Sequence, residues 1–398
     1  MSARVVVIGA GQAGLQVALS LRDCGHDGSI TLLGDEPHLP YHRPPMSKRG
    51  LAEPIGPDDL AIRTRAFIAQ RNIAPRLGVA VSGIDQQAGA VILTGGETID
   101  YDRLVLATGS VPRRLLLPGA DHINVVSLKD YADLDRLRTL LPGVRRAVVI
   151  GGGFVGLELA GSLTQAGIAV TVLEAAPRLL ARVASADLSA FIAAGHSARG
   201  VDIRTGVIIT AIAGDDRATA VTLASGEQIS TDLVIVGIGA DADDRLAAAT
   251  GLRTDRGILV DTRCRTSDPA IYAAGDCTRF DHPYYGPALR LESVNNALDQ
   301  ARTVAAGIAG RPLPGPAIPW FWSDQFDLKL QLAGIPSPLD RIETISGEGD
   351  FVRHFVRHFV RDGVLRAIEA VNAPRAFMQA RRRIEAEMTT LYAIEEPA

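Results

Sequence analysis

Two glycine-rich loops of the same design constrain this chain more than any other feature of its sequence. They read GAGQAG at residues 9–14 and GGGFVG at residues 151–156. Each loop follows a short apolar run and precedes a helical pattern of apolar residues, as the dinucleotide-binding fingerprint requires. The glycines permit a sharp turn, a close approach of backbone to a pyrophosphate, and tight packing of helix on strand. A single match is weak because many turns are rich in glycine, whereas two matches in one chain predict two bound dinucleotides.

Carboxylates follow the next predicted strand after each loop. The strand at 30–34 leads to Asp35 and Glu36, and the strand at 170–173 leads to Glu174. These positions are where the ribose hydroxyls of a dinucleotide lie in this fold. A lone acid there is more often a solvated residue that closes a strand, but here both sets are in register with a glycine loop. Since a carboxylate repels a 2′-phosphate, Glu174 predicts NADH rather than NADPH at the second loop.

The composition is that of a globular protein of two or three domains. The chain has 398 residues, 47% of them apolar, and a formal net charge of −4. These values argue against a disordered or fibrous chain, and they give no basic surplus for binding nucleic acid. We find no run of about eighteen uncharged apolar residues that could span a membrane. The first predicted strand begins so close to Met1 that no room is left for a signal peptide, so we expect a cytoplasmic protein.

The cysteines argue against thiol chemistry. Cys24, Cys264 and Cys277 lie far apart in the sequence, with neither the spacing of a redox pair nor that of a metal site. Cys277 follows a candidate site residue directly, but an isolated cysteine is more often a buried structural thiol. We therefore predict no disulfide relay and no catalytic cysteine.

The order of apolar strands predicts that one nucleotide-binding domain is inserted in another. Strands are expected at 102–109 and 232–239, and the segment 268–276 has the pattern of a return to the first domain. The predicted fold class is α/β, with two Rossmann-like dinucleotide-binding domains, one inserted in the other, and a small C-terminal α+β domain. We place the first domain at 1–110 and 239–318, the second at 111–238, and the C-terminal domain at 319–398.

A four-residue repeat, FVRH, occupies residues 351–358 and begins again at Phe359. Because four is an even number, every Phe and Arg falls on one face of a strand and every Val and His on the other. Asp362 and Gly363 form a turn before an apolar strand at 364–371, so a β-hairpin is predicted. A metal site at His354 and His358 is the weaker alternative, since no carboxylate or cysteine stands near them, and no metal is expected.

Motifs spread over nearly the whole chain resemble the NADH-dependent ferredoxin reductases of bacterial oxygenase systems, in particular the putidaredoxin reductase type. These enzymes form a branch of the pyridine nucleotide-disulfide oxidoreductase superfamily that lacks the redox disulfide. Besides the two loops, the second of which extends to GGGFVGLE at 151–158, the motifs are PYHRPPMSK at 40–48, ATG at 107–109, GDC at 275–277, ESVNNA at 292–297 and PWFWSDQ at 319–325. The last two are far more specific than the glycine loops.

The resemblance implies that the first domain binds FAD tightly. It places Lys48 against the flavin ring, Asp276 on the ribityl chain and Trp322 near the flavin. The implied FAD contacts are Gly9, Gly11, Ala13, Gly14, Asp35, Glu36, Arg43, Lys48, Val81, Thr108, Gly109, Asp276, Val294 and Trp322. Three of these residues have a specific alternative interpretation: Lys48 as a surface lysine, Trp322 as an anchor between domains, and Asp276 as a helix cap.

The same resemblance implies an NADH site on the second loop. Glu158 is directed toward the nicotinamide carboxamide, with a solvated helix residue as the alternative, and Lys48 and Glu158 are the catalytic candidates. The implied NADH contacts are Gly151, Gly153, Gly156, Glu158, Glu174 and Gly237. Arg178 and Arg182 either assist the phosphates or lie on the surface. Val126 stands where related reductases often carry an arginine that helps to bind FAD.

The implied function is transfer of electrons from NADH through FAD, as hydride in and single electrons out, to a two-iron two-sulfur ferredoxin. That ferredoxin would serve an oxygenase such as a cytochrome monooxygenase. We expect it to dock weakly and electrostatically on a monomer or weak dimer. The candidate docking cations are Arg43, Lys48, Arg49, Arg290, Arg375, Arg381, Arg382 and Arg383. The alternatives are a rubredoxin or quinone reductase, and a non-enzymatic NADH-responsive flavoprotein resembling apoptosis-inducing factor.

Overall fold

A computed structural model describes residues 2–346 and 354–395 of the chain. The first glycine loop connects a buried strand to a helix, as predicted. Helices and strands are numbered in chain order, and the first part of the chain contains β1 (Val5–Ile8), α1 (Gln12–Asp23), β2 (Ile30–Gly34), α2 (Arg49–Ala52), α3 (Arg65–Gln70), β3 (Ile73–Leu77), β4 (Val81–Asp85), β5 (Ala90–Leu93), β6 (Thr98–Asp100), β7 (Arg103–Leu106) and β8 (Ser110–Pro112). A 3-10 turn, Pro44–Ser47, precedes α2. Strand β1 pairs in parallel with β2 and β7, and β2 pairs in parallel with β3.

The second glycine loop repeats this plan. The elements around it are β9 (Val125–Val126), α4 (Tyr131–Leu140), β10 (Arg146–Ile150), α5 (Phe154–Gln165), β11 (Ala169–Glu174), α6 (Ala186–Ser197), β12 (Asp202–Thr205), β13 (Ile209–Gly214), β14 (Ala218–Leu223), β15 (Gln228–Ser230), β16 (Leu233–Val236), β17 (Ala240–Ala242) and α7 (Arg245–Ala249). Five of these strands form a parallel sheet in the order β12-β11-β10-β16-β9.

After this insertion the chain returns to the first sheet. The returning elements are β18 (Ile258–Val260), β19 (Ile271–Ala273), β20 (Thr278–His282), β21 (Gly286–Leu289) and α8 (Val294–Ile308). Strand β19 pairs in parallel with β7 and completes the order β3-β2-β1-β7-β19. Strands β8 and β17 pair antiparallel where the chain leaves and re-enters the first unit. The predicted fold, one dinucleotide-binding unit inserted in another, is confirmed.

The C-terminal part is an antiparallel sheet covered by a helix. It contains β22 (Trp320–Gln325), β23 (Leu328–Gly334), β24 (Arg341–Ser346), β25 (Phe355–Arg361), β26 (Val364–Val371) and α9 (Pro374–Glu395). The sheet order is β22-β23-β26-β25-β24. Helix α9 buries Phe377, Ala380, Ile384 and Met388 in one cluster with residues of β25 and β26.

The hairpin predicted from the FVRH repeat is present. Strands β25 and β26 are joined by Asp362 and Gly363, whose φ angles of 52° and 80° are those of a tight turn between antiparallel strands. The two-residue alternation is interrupted by a register shift between Phe359 and Val360. Residues 351–353, the start of the first copy, lie outside the described residues. The ring of His354 contacts the carbonyl oxygen of Asn372 at 2.8 Å.

Two antiparallel meanders were not predicted. Strands β4, β5 and β6 form an antiparallel meander between β3 and β7, and β13, β14 and β15 form another between β12 and β16. Counted from the strand that precedes the glycine loop, each meander lies between the third and fourth strands of its parallel sheet. Their strands are three to six residues long. Such short, half-exposed runs give little periodic signal.

The long apolar runs of both units are buried, because strands of a parallel sheet are covered on both faces. All four residues of β1 are buried, and α1 and α8 pack together over this sheet. No helix in the described part of the chain is long and apolar enough to cross a membrane.

Candidate cofactor and active site

The first glycine loop has the shape of a cradle. Gly9 has φ of 109°, and a Cβ added there would lie 2.1 Å from the carbonyl oxygen of Ala107 at the end of β7. A Cβ on Gly14 would lie 1.9 Å from the carbonyl oxygen of Gly9. These two positions therefore need glycine for the fold itself. A Cβ on Gly11 would meet no atom within 4 Å, so the space beside it is open for a ligand.

The second loop has the same geometry. Gly151 has φ of 111°, and an added Cβ would lie 2.3 Å from the carbonyl oxygen of Gly237. A Cβ on Gly156 would lie 2.3 Å from the carbonyl oxygen of Gly151, whereas the nearest atom to one on Gly153 is 4.0 Å away. Both loops thus close tightly at their first and third glycines and stay open at the second. The residues present fit a pyrophosphate at each loop.

The helices behind the loops leave their first amide groups without side-chain caps. Helices α1 and α5 begin after Gly11 and Gly153, neither of which can offer a side chain. By contrast, α6 and α8 are capped by Ser185 and Ser293, and α4 has a capping box at Asp130. Uncapped N–H groups at a helix N-terminus are suited to bind an anion.

The carboxylates behind the first loop have different surroundings. Glu36 accepts a hydrogen bond from the Tyr41 hydroxyl at 2.6 Å and forms an ion pair with Arg43 at 2.6 Å. Asp35 is exposed, and one of its oxygens accepts the neighbouring backbone N–H of Glu36. Glu36 and Arg43 are therefore occupied with each other, and Asp35 is the carboxylate available to a ribose.

Glu174 lies at the second loop, as its spacing predicted. Its carboxylate accepts the backbone N–H groups of Gly152 and Ala176, each at 2.7 Å. Arg178 does not point to the loop: its guanidinium donates to the carbonyl oxygens of Ala181 and Ala184 at 2.9 and 2.7 Å. Arg178 was expected either to assist the phosphates or to lie on the surface. These contacts favour a role apart from the phosphates, because they hold the guanidinium within its own loop.

Lys48 and Glu158 meet across two parts of the chain. The Lys48 Nζ atom lies 2.8 Å from Glu158 Oε2, which also accepts the Ser47 hydroxyl at 2.5 Å. Ser162, one turn further along α5, donates to the carbonyl oxygen of Ser47 at 2.8 Å and holds the two segments together. Glu158 is only 6% exposed. The alternative interpretation of Glu158 as a solvated helix residue is therefore wrong.

Glu158 has further polar neighbours to which the sequence assigned no role. Its Oε1 atom accepts the Ser323 hydroxyl at 2.7 Å, and Ser323 accepts the side-chain amide of Gln325 at 3.1 Å. The Gln325 oxygen lies 2.9 Å from His196 Nε2. Ser323 and Gln325 belong to the PWFWSDQ motif, which could have pointed to them, whereas nothing in the sequence singled out His196.

A second cation, Lys129, also lies in the site and was missed. Its Nζ atom donates to the Ser110 hydroxyl at 2.7 Å and lies 3.9 Å from Asp276 Oδ2. Ser110 in turn donates to Asp276 at 3.1 Å. Burial lowers the pKa of Lys129 from its ordinary value. Val126, where related reductases often carry an arginine, is buried in β9, and Lys129 lies three residues later.

The remaining predicted contacts lie at the ends of strands and helices. Thr108 follows β7 and donates to the carbonyl oxygen of Asp243 at 2.6 Å. A Cβ on Gly237 would meet only ordinary contacts at 3.5 Å, so the fold itself does not require glycine there. Val81 begins β4 and Val294 begins α8. The Trp322 ring lies 5.5 Å from the Trp320 ring, between centroids.

None of the three cysteines forms a disulfide. Cys264 and Cys277 are buried free thiols, and Cys24 is half-buried and free. Burial raises the pKa of Cys277 to about 11, which keeps this residue in its thiol form. In residues 2–346 and 354–395, no group of three or more His, Cys, Asp and Glu side chains could hold a metal ion.

The predicted docking cations divide into two groups. Arg43, Lys48 and Arg290 are paired with acids inside the molecule. On α9, Arg381 and Arg383 pair with glutamates one turn away. The predicted cations that are exposed and not in ion pairs among the described residues are Arg49, Arg375 and Arg382.

The chain has two parallel sheets, one in a unit inserted in the other, and each carries a glycine loop shaped for a pyrophosphate. This arrangement is typical of dinucleotide-dependent oxidoreductases. The chain belongs to the pyridine nucleotide-disulphide oxidoreductase family, which matches residues 3–301, and residues 320–393 match the reductase C-terminal family. Members of this family use a flavin and a pyridine nucleotide. The resemblance inferred from the motifs is confirmed, and with it the prediction of a ferredoxin reductase-type oxidoreductase.

Relatives of similar length match nearly the whole chain. Rhodocoxin reductase of Rhodococcus erythropolis is 40% identical over 96% of this chain and 90% of its own length. Putidaredoxin reductase of Pseudomonas putida is 41% identical over 96% of this chain and 91% of its own. The crystal structure of a covalent putidaredoxin reductase–putidaredoxin complex superposes with a TM-score of 0.92, at 39% identity, over 96% of this chain and 93% of that one.

Proposed function

We propose that this chain is an NADH-dependent ferredoxin reductase that binds FAD tightly on the first loop and NADH on the second, and reduces a two-iron two-sulfur ferredoxin. The observation that carries the proposal is the ion pair between Lys48 and Glu158, 2.8 Å long. Lys48 belongs to the segment that follows the first βαβ unit, and Glu158 to the helix that starts at the second loop. The pair thus joins the two cradles at the place where a flavin and a nicotinamide would have to meet.

On the FAD side, the open space at Gly11 would take the pyrophosphate and Asp35 the adenosine ribose. Asp276 would hydrogen-bond the ribityl chain, supported by Ser110 and Lys129. We retain the other predicted contacts as part of the proposal: Gly9, Ala13, Gly14, Glu36, Arg43, Val81, Thr108, Gly109, Val294 and Trp322. Glu36 and Arg43 would act through each other, because they are already paired.

On the NADH side, the open space at Gly153 would take the pyrophosphate, with Gly151 and Gly156 shaping the turn. Glu174 would exchange its backbone partners for the two ribose hydroxyls and exclude a 2′-phosphate. Glu158 would orient the carboxamide, and Gly237 leaves space that the fold does not use. When bound, a flavin would supply the hydride acceptor and the donor of single electrons, so this chain has to supply orientation and a nearby cation. Lys48 is that cation.

The partner surface would be the exposed face of α9. Arg375 and Arg382 lie two turns apart and flank Met378, an apolar side chain whose residue is 43% exposed. Arg381, the residue before Arg382, lies over the Trp320 ring at 4.8 Å, and the Trp320 and Trp322 rings are 5.5 Å apart. A small apolar centre with arginines on either side suits an acidic protein that docks briefly. Putidaredoxin reductase, a structural relative, has been crystallised in a covalent complex with putidaredoxin.

An anaerobic rapid-mixing experiment tests the function. Purified protein is mixed with NADH or NADPH while flavin absorbance is followed, and an oxidised two-iron two-sulfur ferredoxin is then added. We expect fast bleaching that is selective for NADH, then reoxidation of the flavin as the ferredoxin is reduced. If NADH reduces the flavin but only rubredoxin or a quinone reoxidises it, the electron acceptor is one of those molecules and not a ferredoxin. A long-lived reduced complex that dimerises would instead favour the signalling alternative.

A charge-reversal pair tests the docking surface. Arg375→Glu with Arg382→Glu should lower kcat/KM for ferredoxin about tenfold at low salt, with a smaller loss at high salt, because the contact is screened. Flavin reduction by NADH should be unchanged. The matched control is Arg253→Glu with Arg256→Glu, which alters two exposed arginines and the net charge equally. Equal losses in both variants would assign the effect to net charge and contradict this surface.

Several predictions remain part of the proposal. The domain bounds 1–110 with 239–318, 111–238 and 319–398 are one of them, supported by β19 within 239–318 and β9 within 111–238. A monomer or weak dimer and a cytoplasmic location are expected for an enzyme that meets a small diffusing partner. Sedimentation of the holoenzyme with and without NADH would measure the oligomeric state.

A further inference from the structure

The neighbours of Glu158 continue beyond the cofactor contacts as a line of buried polar side chains. Ser323, Gln325 and His196 have 0% relative exposure. They connect β22 of the C-terminal sheet to α5 and α6 of the second nucleotide-binding unit. Burying a serine, a glutamine and a histidine together costs free energy that apolar side chains would not cost. None of the three lies in either glycine loop.

The direction of the hydrogen bonds in this line follows from its two ends. Glu158, as a carboxylate, can only accept, so Ser323 must donate to it. Ser323 then has to accept from the Gln325 amide nitrogen, which turns the Gln325 oxygen toward His196. His196 must donate from Nε2, and its buried Nδ1 has no hydrogen-bond partner. Burial lowers the pKa of His196, which favours the neutral ring that this arrangement needs.

Every bond in the line therefore points toward one carboxylate. The hydrogen bonds from His196 to Glu158 all have the same donor-to-acceptor direction, so each polarises the next. The last one ends on Glu158 Oε1, while Lys48 and Ser47 contact Oε2. Glu158 is held by donors from three separate segments: the turn before α2, the strand β22, and, through Gln325, the helix α6. A carboxylate held in this way keeps one orientation.

We propose that Gln325 and His196 are positioning residues for NADH oxidation, because they fix the Ser323 hydroxyl as a donor to Glu158. The inference rests on the proposed function, in which Glu158 orients the nicotinamide carboxamide. It adds a role for the C-terminal strand β22 in hydride transfer, besides any role in meeting the partner. Loss of the line should slow flavin reduction more than it weakens NADH binding, since orientation and not contact is lost.

Gln325→Glu is the decisive variant. A carboxylate at this position cannot donate to Ser323, so the hydroxyl turns toward it and away from Glu158. We expect the limiting rate of flavin reduction to fall about tenfold or more, with a smaller change in the NADH dissociation constant and with FAD retained. Gln325→Met, which removes the bonds without reversing them, should have an intermediate effect. The matched control, Gln228→Glu, makes the same chemical change on the exposed strand β15.

A pH series separates this role from simple loss of packing. A protonated glutamic acid at 325 donates and accepts as glutamine does, so the defect of Gln325→Glu should shrink as pH falls, while that of Gln325→Met should not. The charged or titratable groups facing this position are His196, Glu158, Lys48 and the pair Arg199–Asp327, and they are common to both variants. The pH dependence that only Gln325→Glu shows therefore reports protonation at residue 325 together with its direct partner His196.

Equilibrium binding of NAD⁺ to the oxidised holoenzyme, measured by calorimetry, gives a readout apart from turnover and should change little. Flavin reduction in Gln325→Glu at the wild-type rate would overturn the inference. If Gln325→Glu fails to fold, Gln325→Met and His196→Phe decide, and wild-type rates in both would equally overturn it. A wild-type protein that NADH does not reduce would instead overturn the proposed function.

Discussion

The two nucleotide-binding units share one plan but complete their sheets differently. In both, a glycine loop follows the central strand, and a meander precedes the strand that pairs with the other edge of that central strand. The first sheet is completed by β19, which comes after the whole inserted unit. The second is completed by β9, a strand of two residues that comes before its glycine loop. The first unit therefore cannot close until the second has been inserted, whereas the second is continuous.

The surroundings of the loops differ in a way that bears on function. Near the first unit, Lys129, Arg43 and Asp276 are half-buried and linked to neighbours from distant segments. The second loop instead presents Val155, which is 45% exposed, and its acid Glu174 is held by the backbone amides of Gly152 and Ala176. A site built from several segments suits a group that stays bound, and an open one suits a substrate that must leave.

The sharpest test of this comparison changes the open glycine of each loop. Gly11 and Gly153 have φ and ψ values that leucine can adopt, and neither has a protein atom closer than 4.0 Å to an added Cβ. Gly11→Leu should yield folded protein with almost no flavin, because the side chain fills the pyrophosphate space. Gly153→Leu should retain flavin but raise KM for NADH by about 100-fold or more. Flavin content by absorbance and KM by steady-state assay measure the two effects.

The pair serves as its own control, since the same substitution is made in equivalent geometry. Circular dichroism should give similar helix content for both proteins. If both variants lose flavin equally, the assignment of one cofactor to each loop is wrong.

The acids behind the loops should differ in what they select. Glu174→Ala should lower the preference for NADH over NADPH about 10- to 100-fold, since hydrogen bonds to a charged acceptor contribute about 1.5–3 kcal/mol. Asp35→Ala should weaken FAD retention and leave that preference unchanged. Ratios of kcat/KM for the two nucleotides measure the first, and dialysis of the holoenzyme the second. A changed nucleotide preference in Asp35→Ala would contradict the division of roles.

The features that could be predicted from the sequence are those that depend on short, continuous segments. The loops, the acids behind them and the turn at Asp362 each depend on a few adjacent residues, and all appear where expected. Glu158 was placed on its helix, but its burial depends on Ser323, 165 residues away. Lys129 and His196 were missed for the same reason: each is an ordinary residue locally, and only packing of distant segments brings it to a buried polar site. Spacing along the chain carries no information about such contacts.

Basic side chains near the two loops should also differ. Lys129→Met should weaken FAD binding about tenfold, because it removes the cation beside Ser110 and Asp276. Arg178→Met should leave FAD binding unchanged and lower the melting temperature instead, because the Arg178 guanidinium holds the loop before α6 through backbone carbonyls. Fluorescence titration of deflavinated protein and thermal unfolding separate the two. Weaker NADH binding in Arg178→Met, at unchanged stability, would show instead that Arg178 assists the NADH phosphates.

The smallest effect is expected from the cysteines, all of which lie outside the inserted unit. Cys277 is fully buried, and its thiol contacts the carbonyl oxygens of Leu106 and Ala274 at 3.5 and 3.4 Å. With a pKa raised to about 11, it carries almost no thiolate at neutral pH. Cys277→Ala should therefore change NADH-driven flavin reduction less than about twofold and cost roughly 1 kcal/mol of stability through a small cavity.

Alkylation of the native protein by iodoacetamide checks the same point without mutation. Cys24, which is only half-buried, should react first, and Cys264 and Cys277 should react after unfolding. Mass spectrometry of the digested protein assigns each site. Rapid modification of Cys277 in the native protein would contradict the burial of this thiol.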